Sequence, residues 1–327
     1  MPQFGRAETY RVSWDKLSVG LTIFIIGLAK KVLIADTMAQ GASPLFKIAS
    51  IGGTPALIEA WSGALCYAMQ IYFDFSGYSD MAIGLSLCFG IALPVNFSSP
   101  YRAVSIVEFW RRWHMTLSQF LRDYLYIPLG GNRHGVARRY FNVFLTMLLG
   151  GIWHGAGWTF IVWGGIHGIL IVVNQLWSSR ARWHVPGAWG WAMTFLAVVL
   201  AWVPFRAPDM DTALNIWAGM CGMHGISLPP ALAGRIESLG IIGSILPFNF
   251  NGFGSTLNLW ISGFALPFAL FLATRMPNTQ SIMGYRPDGA AMSEWRPSFV
   301  VAVAIGLLFS ACLLKLNDVS ELLYFQF

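Results

Sequence analysis

Apolar runs long enough to cross a bilayer alternate with short polar breaks along most of this chain. Leu17 to Ala35 is the first, with Lys30 and Lys31 inside its lower end, where long basic side chains must snorkel or face protein. Asp36 then leads into a Gly/Ser/Pro connection expected to reach about Thr54. Ala56 to Phe73 and Met81 to Leu93 read as two apolar spans around a polar knot, Asp74 to Asp80. Asp80 is expected to cap the helix that follows, whereas Asp74 is open between capping, orienting a catalytic histidine and pairing with arginine. Pro94 to Pro100 is a turn-rich break.

Val104 to Ile127 mixes Trp, Arg and Leu too densely for a lipid-exposed span, which predicts a helix at the interface or re-entering within protein, ended by Pro128 to Asn132. Phe141 to Trp177 is long enough for two spans with a tight turn near Gly155 to Trp158. Trp189 to Phe205, Leu257 to Ala273 and Phe299 to Leu316 complete the spans. Residues 206–256 read as a loop with one short amphipathic helix, capped by Asp209 or Asp211, with Ala213, Leu214, Trp217 and Met220 on its apolar side.

Composition makes this pattern a class. With 56% apolar residues, 11% charged residues and fifteen tryptophans in 327 positions, the chain is an all-α polytopic membrane protein, read as a single membrane domain over 1–327. The four cysteines are scattered in or near apolar runs without ligand spacing, so they read as small core residues. No GxSxG elbow, P-loop, HExxH or dinucleotide fingerprint is present, and no soluble domain exists to present a basic surface to nucleic acid. The net charge of +6 is uneven, since Arg102, Arg111, Arg112, Arg122, Arg133, Arg138 and Arg139 cluster in and around 97–139. Such a cluster argues for a cytoplasmic, Arg-rich connection. It would serve to anchor lipid headgroups or to attract a phosphate-rich donor, and the two are compatible.

The sharpest chemical feature is His154, within Gly150-Gly151-Ile152-Trp153-His154-Gly155-Ala156-Gly157-Trp158. The run from Phe141 to Val173 that holds it contains no Asp, Glu, Lys or Arg. On the hairpin reading of 141–177, His154 lies about 20 Å along the first arm. An ionisable group at that depth is costly and reads as functional. In the plainer reading Gly151, Gly155, Gly164 and Gly168 let helices pack closely, and His154 hydrogen-bonds between them. His167, on the second arm, reads as a packing histidine.

Two long motifs, FWRRWHMTLSQFLRDYLYIPLGGNR and GGIWHGAGW, closely resemble the membrane-bound O-acyltransferase family, and most of all its bacterial polysaccharide branch, which O-acetylates alginate. That resemblance implies an all-α bundle with re-entrant or interfacial helices around a central tunnel, in a bacterial inner membrane. It implies acetyl-CoA as donor from the cytoplasmic side with no bound cofactor, an exported polysaccharide such as alginate or cellulose as acceptor, and a periplasmic acetyltransferase as partner. His154 matches the family's catalytic histidine and is expected to be the general base; His114 matches the second motif histidine and is expected to donate a hydrogen bond or position a group. Trp153 and Trp158 are expected to wall the pocket, and Arg111, Arg112, Asp74 and Asn132 to bind donor or substrate.

The chemistry suits these parts. Moving an acyl group from a thioester to a hydroxyl needs a base for the hydroxyl proton, donors for the oxyanion and a water-poor setting. The family carries further spans upstream of the point where this sequence begins, so the chain is expected to be a shortened reading of a longer gene. D-alanyl transfer to a cell-envelope polymer, a transporter path through His154 and Asp74, and a non-catalytic scaffold are the rival readings. Against the transporter, the two histidine motifs are unlike each other and occur once each, so no repeated halves are visible.

Overall fold

The computed structural model describes residues 2–180, 185–227, 248–249, 260–285 and 298–316. Positions 228–247 and 250–256 of the expected loop, and Leu257 at the head of an expected span, lie outside these residues. Among the described residues the protein is almost wholly helical, with one short parallel pairing of Ile226–Ser227 against Phe248–Asn249.

Helix α1 (Trp14–Ala29) starts where the Ser13 hydroxyl accepts from the Lys16 backbone N–H. It continues through a wider π-turn segment (Lys30–Ala35) directly into α2 (Asp36–Ser50), forming one 37-residue helical stretch. The expected Gly/Ser/Pro connection from Asp36 to Thr54 is therefore helix for most of its length. The reason is packing. Thr37, Met38, Gly41, Ala42, Leu45, Phe46 and Ala49 are buried at helical spacing, and a Cβ on Gly41 would come within 2.7 Å of the Cys66 sulfur. Pro44 interrupts the ladder at a cost of about 3 kcal/mol, which that continuous contact face offsets.

Helix α3 (Leu57–Cys88) is likewise a single element of 32 residues, about 48 Å long, instead of two spans around a knot. Asp74 and Asp80 sit mid-helix and cap nothing. Their charges are met sideways by Lys31 at 2.9 Å and Lys30 at 2.6 Å, so the backbone has no need to break around them. The two lysines thus face protein. Helices α1 and α3 run antiparallel in very close contact, because a Cβ on Gly20 would lie 2.6 Å from the Gly84 carbonyl oxygen and one on Gly27 would lie 2.6 Å from that of Gly77.

A short pair, α4 (Ile106–Arg112) and α5 (Met115–Leu121), follows the proline-rich break. Then α6 (Gly135–His154) and α7 (Trp158–Arg180) form a hairpin turning at Gly155 to Gly157. The arms touch at glycine: a Cβ on Gly164 would come within 2.5 Å of the Met147 carbonyl oxygen, and one on Gly151 within 2.4 Å of that of Phe160. Helix α8 (Gly187–Arg206) carries Trp202, almost fully buried at 1% exposure, into the centre.

The amphipathic helix α9 (Met210–Met220) is capped by Asp209, whose carboxylate accepts from the Thr212 N–H at 2.7 Å. Its inward face is Thr212, Ala213, Ile216, Gly219 and Met220, while Leu214, one residue on from Ala213, is rotated off that face and points out. Helices α10 (Leu266–Thr274), α11 (Thr279–Met283) and α12 (Phe299–Lys315) complete the described chain. Of the thiols, Cys66 and Cys312 are buried, but Cys221 is exposed at the end of α9 instead of lying in the core. Trp14–Ser50, Trp158–Arg180 and Gly187–Arg206 are long and apolar enough to cross a membrane.

Candidate functional site

The break between α4 and α5 is written in its hydrogen bonds. Ile106, Phe109, Trp110 and Trp113 are buried at i, i+3, i+4 and i+7, which turns the arginines between them outward. Helix α4 stops at Trp113, which is extended, and His114 adopts a left-handed backbone (φ 41°). That conformation costs a non-glycine residue about 1–2 kcal/mol, so the surroundings must hold it.

They do so from the preceding loop. Ser98 N–H donates to the Arg112 carbonyl at 3.0 Å and Met115 N–H to the Asn96 carbonyl at 3.0 Å. The Asn96 side-chain oxygen accepts from the Thr116 hydroxyl at 2.6 Å, and the Ser118 hydroxyl donates to the Trp110 carbonyl at 3.0 Å. His114 is thereby turned inward, its ring edge-on to Phe75 at 4.8 Å. Its Nδ1 is buried and meets no hydrogen-bond partner among the described residues.

His154 comes from the other direction, as the last residue of α6, where Gly155 releases the chain from the helix. Its imidazole stands edge-on to Trp163 and Phe205, at 5.2 Å from each, and 5.0 Å from Trp153. Both histidines line one cavity of about 240 Å³ and are close enough to interact electrostatically. Its walls come from Ile71, Asp74 and Phe75 of α3, Trp110, Trp113 and Leu117 around the break, Trp153, Trp163, and Trp202 and Phe205 of α8. Tyr101 ties these walls together, donating its hydroxyl to the Ala68 carbonyl at 2.7 Å and accepting the Trp202 indole N–H at 3.1 Å.

The residues singled out in the sequence separate in space. His114, His154, Trp153 and Asp74 share the cavity. Trp158 does not: it opens α7 on the far side of the turn, is 75% exposed and takes no part in the lining, so its expected place in the pocket wall is not where the chain puts it. Arg111 is exposed, and Arg112 spends its guanidinium on Glu108 at 2.6 Å and the Ser98 carbonyl at 3.3 Å. Asn132 is exposed beyond the α5 end. All three lie off the cavity lining.

Trp110, Trp113, Trp163, Trp202 and Phe205 were not singled out in advance. The stripe at 106, 109, 110 and 113 was the available signal for the first two; nothing local marks Trp202, which reaches the cavity only through tertiary packing. His167 is fully buried one layer behind, accepting the Trp110 indole N–H on Nδ1 at 3.3 Å. Among the described residues no three His, Cys, Asp or Glu side chains converge as metal ligands.

Two histidines from distant motifs thus meet in one indole-walled cavity of a helical membrane protein. The chain belongs to the membrane-bound O-acyltransferase family, whose model matches residues 6–210. It is 49% identical over 231 residues to the peptidoglycan O-acetyltransferase of Helicobacter pylori, covering 70% of this chain and 43% of that protein. It is 40% identical over 315 residues to the probable alginate O-acetylase AlgI of Pseudomonas putida, covering 96% of this chain and 62% of that protein. To the teichoic acid D-alanyltransferase of Bacillus subtilis it is 34% identical over 146 residues, covering 41% of this chain and 36% of that protein. The chain therefore spans less than two thirds of the length of each of these relatives.

Proposed function

We propose that this chain carries the transfer centre of a membrane O-acetyltransferase, which passes acetyl from acetyl-CoA on the cytoplasmic side of a bacterial inner membrane toward hydroxyls of an exported or envelope polysaccharide. The observation that carries the reading is the pair of histidines, brought from two distant motifs into one aromatic cavity. His154 takes the proton of the attacking hydroxyl as its oxygen bonds to the thioester carbonyl carbon. His114 donates a ring N–H to the oxyanion that develops there. When the carbon–sulfur bond breaks, the proton held by His154 passes to the departing thiolate, so the step is neutral overall. The indole and phenyl walls exclude water, which would otherwise hydrolyse the thioester.

The anionic part of the donor stays outside this apolar space. Exposed Arg111, Arg133 and Arg138, with Asn132, form the surface for its phosphates. Arg112 is left out of that role, being held by Glu108. A periplasmic acetyltransferase completes the system on the far side. Acetyl is preferred over D-alanyl because the match to AlgI covers 96% of this chain, against 41% for the Bacillus subtilis D-alanyltransferase.

The test is O-acetyl content of the cell's polysaccharide with His154→Ala in place of the wild type, membrane abundance being measured alongside. Loss of acetyl groups at normal abundance is expected. Wild-type acetylation would sink the assignment and leave a scaffold role.

A further inference from the structure

Lys30 and Lys31 are neighbours in sequence, and the π-turn segment lets them meet two different aspartates of α3. The two pairs are alike in chemistry and unlike in surroundings. Asp80 is engaged on both oxygens: Oδ2 accepts from Lys30 at 2.6 Å and from the Thr279 hydroxyl at 2.6 Å, and Oδ1 accepts from Gln280 at 2.7 Å. It takes no part in the cavity lining and ties the π-turn segment, α3 and α11 together. Lys31 is shared, with Nζ 2.7 Å from Asp36 and 2.9 Å from Asp74. One ammonium thus faces two carboxylates, and the second of them forms part of the cavity wall that also holds His114 and His154.

A carboxylate is a pure hydrogen-bond acceptor that serves several donors at once, and it repels the phosphates of an acyl donor. What it attracts in a cavity of indoles is a neutral molecule rich in O–H groups. We propose that Asp74, held in place by Lys31, is the residue that receives and orients the hydroxyl-bearing acceptor in the cavity it shares with the histidines, while Lys30–Asp80 is a structural tie. The inference rests on the acyl-transfer reading and names the side chain that holds the acceptor. Asp74 takes no proton in this role; it positions the hydroxyl that His154 deprotonates.

The arrangement separates the two duties experimentally. In Asp74→Asn, Lys31 keeps Asp36 as its counter-charge, so the helix seam is still compensated. In Asp80→Asn, Lys30 loses the carboxylate it pairs with among the described residues, and a buried charge without its partner is strongly destabilising. Each variant is expressed as the full chain in its native membrane, and polysaccharide O-acetyl content is read per molecule of membrane-embedded protein.

Asp74→Asn is expected to stay within twofold of wild-type abundance and to lose at least tenfold in acetylation, with Asp74→Glu recovering part of it. Asp80→Asn is expected to fall in abundance while each surviving molecule acetylates within about twofold of wild type. Wild-type acetylation by Asp74→Asn, or equal loss in the Asn and Glu variants at equal abundance, overturns the proposal. Should Asp74→Asn also lower abundance, acetylation per embedded molecule decides: a tenfold loss that Asp74→Glu partly restores supports the role, and wild-type acetylation per molecule overturns it. His154→Ala run in parallel keeps the two readings apart. If it is silent while Asp74→Asn is active, only the acceptor inference fails; if it is active, the acyl-transfer reading itself fails.

Discussion

His154 and His167 lie on opposite arms of one hairpin, thirteen positions apart, and both pack against the same Trp163 ring, at 5.2 and 5.0 Å. One ends its helix and looks into a cavity. The other is in mid-helix with no exposed surface, stacked parallel to Phe109 and holding the Trp110 indole N–H. Residue type and aromatic company are thus nearly the same for both. What differs is whether space for another molecule adjoins the ring, and this is decided by the chain leaving the helix at Gly155.

The most decisive way to break this comparison is to remove each imidazole in turn. His154→Gln should lower transfer by about 10²–10⁴-fold, the range for a lost general base, with membrane abundance near wild type. Next in size is the seam that sets both rings. Gly164→Val drives a side chain into the Met147 carbonyl, and overpacking of that kind costs about 1–3 kcal/mol, seen as lower abundance and melting temperature in detergent. If activity per molecule survives unchanged, the hairpin does not position the histidines.

His167→Leu is expected to cost no more than about 2 kcal/mol of stability. Trp110 loses its acceptor, but the buried His167 Nε2, which meets no partner among the described residues, disappears with the ring. Activity per molecule should stay within tenfold, and a loss as deep as that of His154→Gln would erase the distinction. The smallest effect is a control remote from both rings. Asp209→Ala removes the α9 cap, for roughly 1 kcal/mol, without altering acetylation per molecule. The Thr212 backbone N–H holds the Asp209 carboxyl below its ordinary pKa. The cap therefore stabilises fully above the ordinary carboxylate range and is lost as pH falls through the lowered folded value, so wild type and variant should converge in acid.

Much of the site could be read from the chain because the two histidine motifs are dense in rare residues, and because a helical stripe of Phe109, Trp110 and Trp113 carries its own direction. The arginines take the other direction, since residues adjacent in a motif point to opposite sides of a short helix: Trp110 and Trp113 go in, Arg111 and Arg112 go out. Trp158 shows the same limit across a turn, where five positions from Trp153 suffice to put it outside the cavity. In the fold, Gly41, Ser43 and Pro44 suggested a loop by their own preferences, and close contact with Cys66 on α3 overruled them. The knot from Asp74 to Asp80 suggested a boundary because carboxylates are seldom placed mid-span; Lys30 and Lys31, some forty to fifty positions away, are what make that placement tolerable, and distance in sequence hid the pairing.

The indole walls have an optical side as well. Trp110, Trp113, Trp153, Trp163 and Trp202 are five of the fifteen tryptophans in the chain, and all five border one space of about 240 Å³. A third of the protein's tryptophans therefore report on a single small volume. Any molecule that enters displaces what surrounds those rings, so binding should register as a change in intrinsic emission, without a label and before any bond is made.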